Sequence, residues 1–134
     1  MPRLTRVLET SLYAMDLERT ARFYEEVLGL EPLSSVPGRH AFFRLPGAMF
    51  LLFQPESTAA STDVPPHGAS GPGHVAFAVE PEEMDGWRER LRSFGIPVER
   101  EVTWPRGGLS LYFRDPAGNC VELATPDIWP LSSE

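Results

Sequence analysis

The strongest constraint on this chain is that it carries one pattern twice. The stretch "FFRLPGAMFLLFQP" (42–55) resembles "YFRDPAGNCVELATP" (112–126), with Phe43-Arg44 matching Phe113-Arg114 and Pro46 matching Pro116. "EVLGLEPL" (26–33) runs parallel to "RSFGIPVE" (92–99) in the same order. The offset of about 65–71 residues is close to half of the 134-residue chain. A repeat of that length means that each half is one supersecondary unit.

The punctuation of each half predicts the elements. Residues 7–14 read as a strand, and Asp16 is a good N-cap for a helix running to about Leu28. Leu17, Ala21, Tyr24, Val27 and Leu28 fall on one helical stripe, and Gly29 supplies the stop. Two strands follow at 39–45 and 48–54, joined at Pro46-Gly47. The second half opens with a strand at 74–79 and a helix at 81–94, with Met84, Trp87, Leu91 and Phe94 on one face and Gly95 after it. Strands are expected near 97–102, 108–114 and 119–124, the last two joined by a tight turn at Asp115-Pro116-Ala117-Gly118. The expected class is α+β: two βαβββ modules, about 5–55 and 73–128, in a single domain. The segment 56–72 between them is rich in Pro, Gly, Ser and Thr and reads as a linker or a loop that covers a site.

Bulk properties narrow the function classes. At 42% hydrophobic and 23% charged residues the composition is that of a globular protein, and no apolar run approaches the roughly 20 residues of a membrane span. The N-terminal stretch "MPRLTRVLETSL" lacks a long apolar run of the secretory type, so a cytoplasmic protein is expected. A net charge of −7, with arginines scattered singly and the densest run, "WRERLR", interrupted by Glu89, argues against a concentrated basic face for nucleic acid. One cysteine, Cys120, permits neither an intrachain disulfide nor a cysteine-based zinc cluster. Cys120 reads as a small buried strand residue, with a nucleophile as the alternative.

Side chains alternate faces along a strand, so each strand can be divided. Val75, Phe77 and Val79 form one apolar face, leaving His74, Ala76 and Ala78 opposite. Val121 and Leu123 oppose Cys120, Glu122 and Ala124, while Leu8, Thr10, Leu12 and Ala14 oppose Glu9, Ser11 and Tyr13. Glu9, His74 and Glu122 thus each occupy the face less suited to helix packing. Glu9 and His74 hold the same place in their halves, and Glu122 corresponds to Leu51. A carboxylate–imidazole–carboxylate trio would leave open positions on a divalent metal, as a metal-dependent enzyme requires. Three solvent-facing strand residues are the competing explanation.

The segments "AMDLERTARFYEEVLGLEPL" (14–33), "GHVAFAVEPEEMDGWRERLRSFGIPV" (73–98) and "LYFRDPAGNCVELATP" (111–126) resemble the vicinal oxygen chelate superfamily of glyoxalases, bleomycin-resistance proteins and extradiol dioxygenases. The resemblance covers nearly the whole chain and is weakest at 56–72. It implies paired modules forming a cupped mixed sheet around a metal site. Its ligand positions fall on Glu9, His74 and Glu122, with Zn, Ni, Mn or Fe as the divalent ion. Glu9 and Glu122 are also the candidate proton-transfer groups. Glyoxalase-type members carry a fourth ligand where Leu51 stands, and leucine cannot coordinate. The implied function is a lyase, isomerase or dioxygenase acting on a small oxygen-bearing substrate, in a homodimer. The bleomycin-resistance branch implies the alternative, a metal-free protein that sequesters a drug or metabolite. Met49, Leu51 and Phe53 alternate onto the face that Leu51 shares with Glu122, giving either an apolar wall suited to an aromatic or lipophilic substrate or, equally simply, core filling. His40, His67, Trp104, Arg106 and Tyr112 are further pocket candidates, Arg106 and His67 lying near turns.

Overall fold

The computed structural model describes residues 1–132, and the chain divides into two compact units, Met1–Gly71 and Pro72–Glu134. The first contains β1 (Glu9–Tyr13), α1 (Leu17–Glu26), β2 (Glu31–Val36), β3 (His40–Leu45), β4 (Ala48–Phe53) and a short α2 (Pro55–Ala59). Its four-stranded sheet has the order β1-β4-β3-β2, with β1 parallel to β4 and the other neighbours antiparallel. Helix α1 starts where the Asp16 carboxylate accepts a hydrogen bond from the Arg19 amide at 3.2 Å. It buries Leu17, Thr20, Phe23 and Tyr24. The Tyr24 ring is fully enclosed, with its centroid 4.7 Å from Phe50 and 6.3 Å from Phe43 on the sheet. Rings buried this well set the stability of such a module, since truncating one to alanine typically costs about 3–5 kcal/mol.

The second unit repeats the plan with β5 (His74–Ala78), α3 (Met84–Ser93), β6 (Arg100–Thr103), β7 (Leu109–Arg114) and β8 (Cys120–Ala124). Its sheet order, β5-β8-β7-β6, and its parallel outer pair match the first unit strand for strand. Glu9 faces Met49 across β1 and β4, as His74 faces Cys120 across β5 and β8. Leu51 and Glu122 therefore hold the same register position, as the repeat requires. Even an exposed ion pair is duplicated: Arg44 binds Glu31 at 2.8 Å, and Arg114 binds Glu99 at 3.0 Å. Gly29 and Gly95 close the two helices with φ of +70° and +71°, a left-handed conformation that a β-carbon would strain.

The structure revises several boundaries. Helix α1 ends at Glu26 rather than Leu28, and residues 81–83 form a 3-10 turn ahead of α3. Strand Glu31–Val36 has no counterpart in the periodicity because it is an edge strand exposed along its whole length, with Pro32 and two serines. The segment after β4 is not wholly irregular: Gln54 caps α2 by accepting from the Ser57 amide at 2.8 Å. That segment belongs to the first unit, tied back by the His67 amide donating to the Thr58 carbonyl at 3.2 Å.

Candidate metal half-site and aromatic cleft

In the second unit a carboxylate is carried into the sheet. Glu122 is 5% exposed, on the central strand β8 and beside Ala76 of β5 and Tyr112 of β7. A buried carboxylate needs its oxygens satisfied. Oε2 accepts a hydrogen bond from the Ser110 hydroxyl at 2.6 Å. Ser110 is itself fully buried and accepts from the Trp104 indole N–H at 2.9 Å. Oε1 faces His74 Nε2 at 3.2 Å.

The other imidazole nitrogen decides what that contact is. His74 Nδ1 lies 3.0 Å from the Cys120 carbonyl, which can only accept, so Nδ1 carries the proton. In the neutral ring Nε2 then presents a lone pair to Glu122 Oε1. Two acceptors at that distance repel unless a positive charge sits on or between them, either a proton or a cation. Donors about 2.1 Å from a metal lie roughly 3.0 Å apart at a right angle and roughly 3.4 Å apart in a tetrahedron. The observed 3.2 Å falls between those values. One imidazole and one carboxylate suit a first-row divalent ion, and the Nδ1–carbonyl and Ser110–carboxylate bonds are the outer contacts that hold such ligands in orientation. The residues present therefore fit a metal.

Tyr112 stands over the pair, its ring stacked on His74 with centroids 6.3 Å apart. Burial pushes its phenol pKa up, and the neighbouring Glu122 charge pushes it the same way. Cys120 is half-buried, and burial raises its thiol pKa against the opposing pull of Arg114, which disfavours the thiolate that a nucleophile needs. Arg106 is exposed in the turn closed by the Trp104 amide and the Gly108 carbonyl.

The first unit places Glu9, Met49, Leu51 and Phe53 together along a cleft of about 560 Å³. Its floor comes from three successive cross-strand positions, Glu9–Met49, Leu51–Phe42 and Phe53–His40. The loop after α2 supplies the opposite wall with Ser61, Asp63, Val64 and His67. Tyr13 and His67 clasp it, the phenol oxygen lying 2.5 Å from Nδ1. Arg39 also lines the cleft. The Ser61 hydroxyl donates to Asp63 at 2.8 Å and holds that carboxyl below its ordinary range. Burial, aided by the Arg39 charge, lowers the His40 pKa and keeps its ring neutral.

Within either unit, the described residues assemble no group of three or more His, Cys, Asp or Glu able to hold a metal. The second unit brings His74 and Glu122 together, and the first sets Glu9 at one end of an apolar cleft. Among the described residues, no helix is long and apolar enough to cross a membrane. Ser110, which binds Glu122, and Arg39 and Asp63, which line the cleft, are positions that strand and loop pattern did not mark. Ser110 had a faint signal, a hydroxyl two residues from Tyr112 on the same face of β7.

Comparison with known proteins gives a consistent result. Residues 6–123 match the Glyoxalase/Bleomycin resistance protein/Dioxygenase superfamily. The chain is 29% identical over 120 residues to the fosfomycin resistance protein FosX of Listeria innocua, covering 84% of each chain. It is 29% identical over 115 residues to the metallothiol transferase FosB of Bacillus licheniformis, covering 85% of this chain and 71% of that one. The crystal structure of a lactoylglutathione lyase from Agrobacterium tumefaciens superposes with a TM-score of 0.92 at 39% identity, over 97% of this chain and 100% of the other.

Proposed function

The chain belongs to the Glyoxalase/Bleomycin resistance protein/Dioxygenase superfamily, and from that premise we propose that it is a metal-dependent enzyme of lyase, isomerase or dioxygenase type acting on a small oxygen-bearing molecule. The observation that carries this reading is the His74–Glu122 pair: His74 Nε2 and a buried carboxylate oxygen 3.2 Å apart, each side chain locked by a bond on its far side. A metallothiol transferase and a lactoylglutathione lyase among the similar proteins agree with it.

Glu9 is the third ligand in this proposal, because its register position in the first sheet is that of His74 in the second. When bound, a divalent ion (Zn, Ni, Mn or Fe) supplies Lewis-acid stabilisation to an oxyanion or enolate of the substrate. The protein groups divide the remaining work. His74 presents Nε2 because Nδ1–H is committed to the Cys120 carbonyl. Glu122 is held in place by Ser110 and has one oxygen left for coordination. Glu9 is exposed and lines the cleft, so it is the better placed of the two carboxylates to take a proton from bound substrate. The proposed assembly is a homodimer, which light scattering at micromolar concentration should find at twice the chain mass of 14.9 kDa.

A second reading, a metal-free binding protein, is favoured by the apolar cleft of the first unit. Elemental analysis of tag-free protein purified without chelator separates the two. The enzyme reading expects about one equivalent of transition metal per chain. Less than about a tenth of an equivalent, unchanged by Glu122→Ala, contradicts it.

A further inference from the structure

We propose that the cleft of the first unit binds the body of the substrate, and that this body is an uncharged molecule of one or two aromatic rings. Its rings lie over Leu51, Phe42 and Phe53, and its oxygen-bearing end points to Glu9. The chemistry at the Glu9 end rests on the enzyme reading above, whereas recognition of the rings requires no metal.

The three cross-strand rows grade in character along the strands. The row through Glu9 and Met49 is polar at its edge, the row through Leu51 and Phe42 is apolar, and the row through Tyr13, Phe53 and His40 is aromatic. Two steps of two residues span about 13 Å along a strand, the length of a fused two-ring molecule with a substituent at one end. A cleft of about 560 Å³ is also of the size that takes such a ligand.

The rings are arranged to receive another ring. His40 stacks on Phe42 with centroids 4.0 Å apart, and Phe53 stands edge-on to Phe42 at 5.5 Å and to His67 at 4.9 Å. Phe42 and Phe53 are both half-buried, leaving ring surface open to the cleft. Offset and edge-to-face pairing favours a flat aromatic guest over a flexible aliphatic one. His67, held by Tyr13, closes the aromatic end from the loop.

Charge argues against an anionic ligand. Arg39 is the cleft's one permanent cation among the described residues lining it, and it is opposed by Asp63 and Glu9. A phosphate or phosphonate dianion would find no net positive field there.

Fluorescence titration with 2-naphthol, and with 2-naphthyl phosphate as its charged counterpart, tests the proposal on chelator-treated protein. We expect saturable one-to-one binding of 2-naphthol, at least about tenfold tighter than the phosphate ester. Phe53→Ala should weaken it by about tenfold or more, with circular dichroism confirming the fold, and His67→Ala on the exposed loop should weaken it about threefold. Glu99→Gln, in the exposed ion pair of the second unit, should leave it within about twofold. Amide shift mapping on the wild-type protein, which needs no substitution, should place the probe on β3 and β4. Absence of saturable binding, equal or tighter binding of the phosphate ester, or shifts confined to the second unit would overturn the proposal. Naphthol binding by a protein that takes up no divalent ion when metal is added back after chelation would remove the enzyme reading alone. Metal binding without naphthol binding would remove this one alone.

Discussion

The two halves share a strand order, a register and an exposed arginine–glutamate pair, yet the open faces of their sheets differ chemically. At one register position the first unit has Leu51 and the second has Glu122; at the neighbouring cross-strand position Phe42 stands where the second has Tyr112. His40 similarly takes the place of Ser110. The first sheet thus offers an aromatic floor, the second a hydrogen-bonded carboxylate with an imidazole at its edge. The two backbones match strand for strand, and the difference lies in a few side chains on corresponding strand positions. This agrees with the general observation that function is set by a site rather than by the fold beneath it.

The largest effect should come from removing the residue that most distinguishes the halves. Glu122→Ala should lower affinity for a divalent ion by more than about a hundredfold, measured by titration calorimetry, because a first ligand is lost outright. The reverse exchange asks whether the first unit tolerates the second unit's chemistry. Leu51→Glu puts a carboxylate at a site 7% exposed, with Phe42 directly across from it and no serine hydroxyl in the place of Ser110. It should cost about 2–5 kcal/mol in denaturant unfolding. A cost below about 0.5 kcal/mol would show that the faces are not chemically specialised.

The hairpin turns give a second contrast. The first unit turns in two residues, Pro46-Gly47, whereas the second uses Asp115, whose buried carboxylate accepts from the Ala117 and Asn119 amides and the Asn119 side chain, each at 2.9 Å. Asn119 in turn accepts from the Gly73 amide at 2.8 Å, fixing the residue before His74. Asp115→Ala should therefore cost about 2–3 kcal/mol of stability by thermal unfolding and weaken metal binding as well. Ser110→Ala acts more narrowly. It should weaken metal binding about tenfold or somewhat more while leaving the cleft of the first unit unaffected.

The duplicated ion pairs should matter least. Their arginines hold Glu31 and Glu99 below the ordinary carboxyl range of 4.5. A carboxyl lowered in the folded state adds stability above its unfolded value and loses it as the pH falls through the lowered one. The advantage of the wild-type protein over a Glu31→Gln, Glu99→Gln double variant should be small at neutral pH, where exposed pairs contribute little, and should vanish in acid. Thermal midpoints measured from pH 7 down to about pH 3 test this.

Much of this contrast was legible in the sequence. The repeat was carried by identities such as Phe43-Arg44 and Phe113-Arg114, and period-two alternation assigned Glu122 and His74 to one face because side-chain direction in a strand is local. Alternation gives a face but not a depth. That Glu122 is buried, and tied to Ser110 twelve residues away, depends on how β7 lies beside β8. The clasp between Tyr13 and His67 joins residues 54 apart through a loop with no periodic signal. Strand β2 escaped for the opposite reason: with every residue exposed, it has no buried face to imprint a pattern.

His74 Nε2 and Glu122 Oε1 are proposed as two ligands of one metal ion. The most direct measurement is anomalous diffraction from crystals of the metal-loaded protein at the absorption edge of the ion. A single strong anomalous peak per chain is expected within about 2.3 Å of both atoms. A peak bonded to neither, or a fully loaded crystal with no peak beside Glu122, would contradict it.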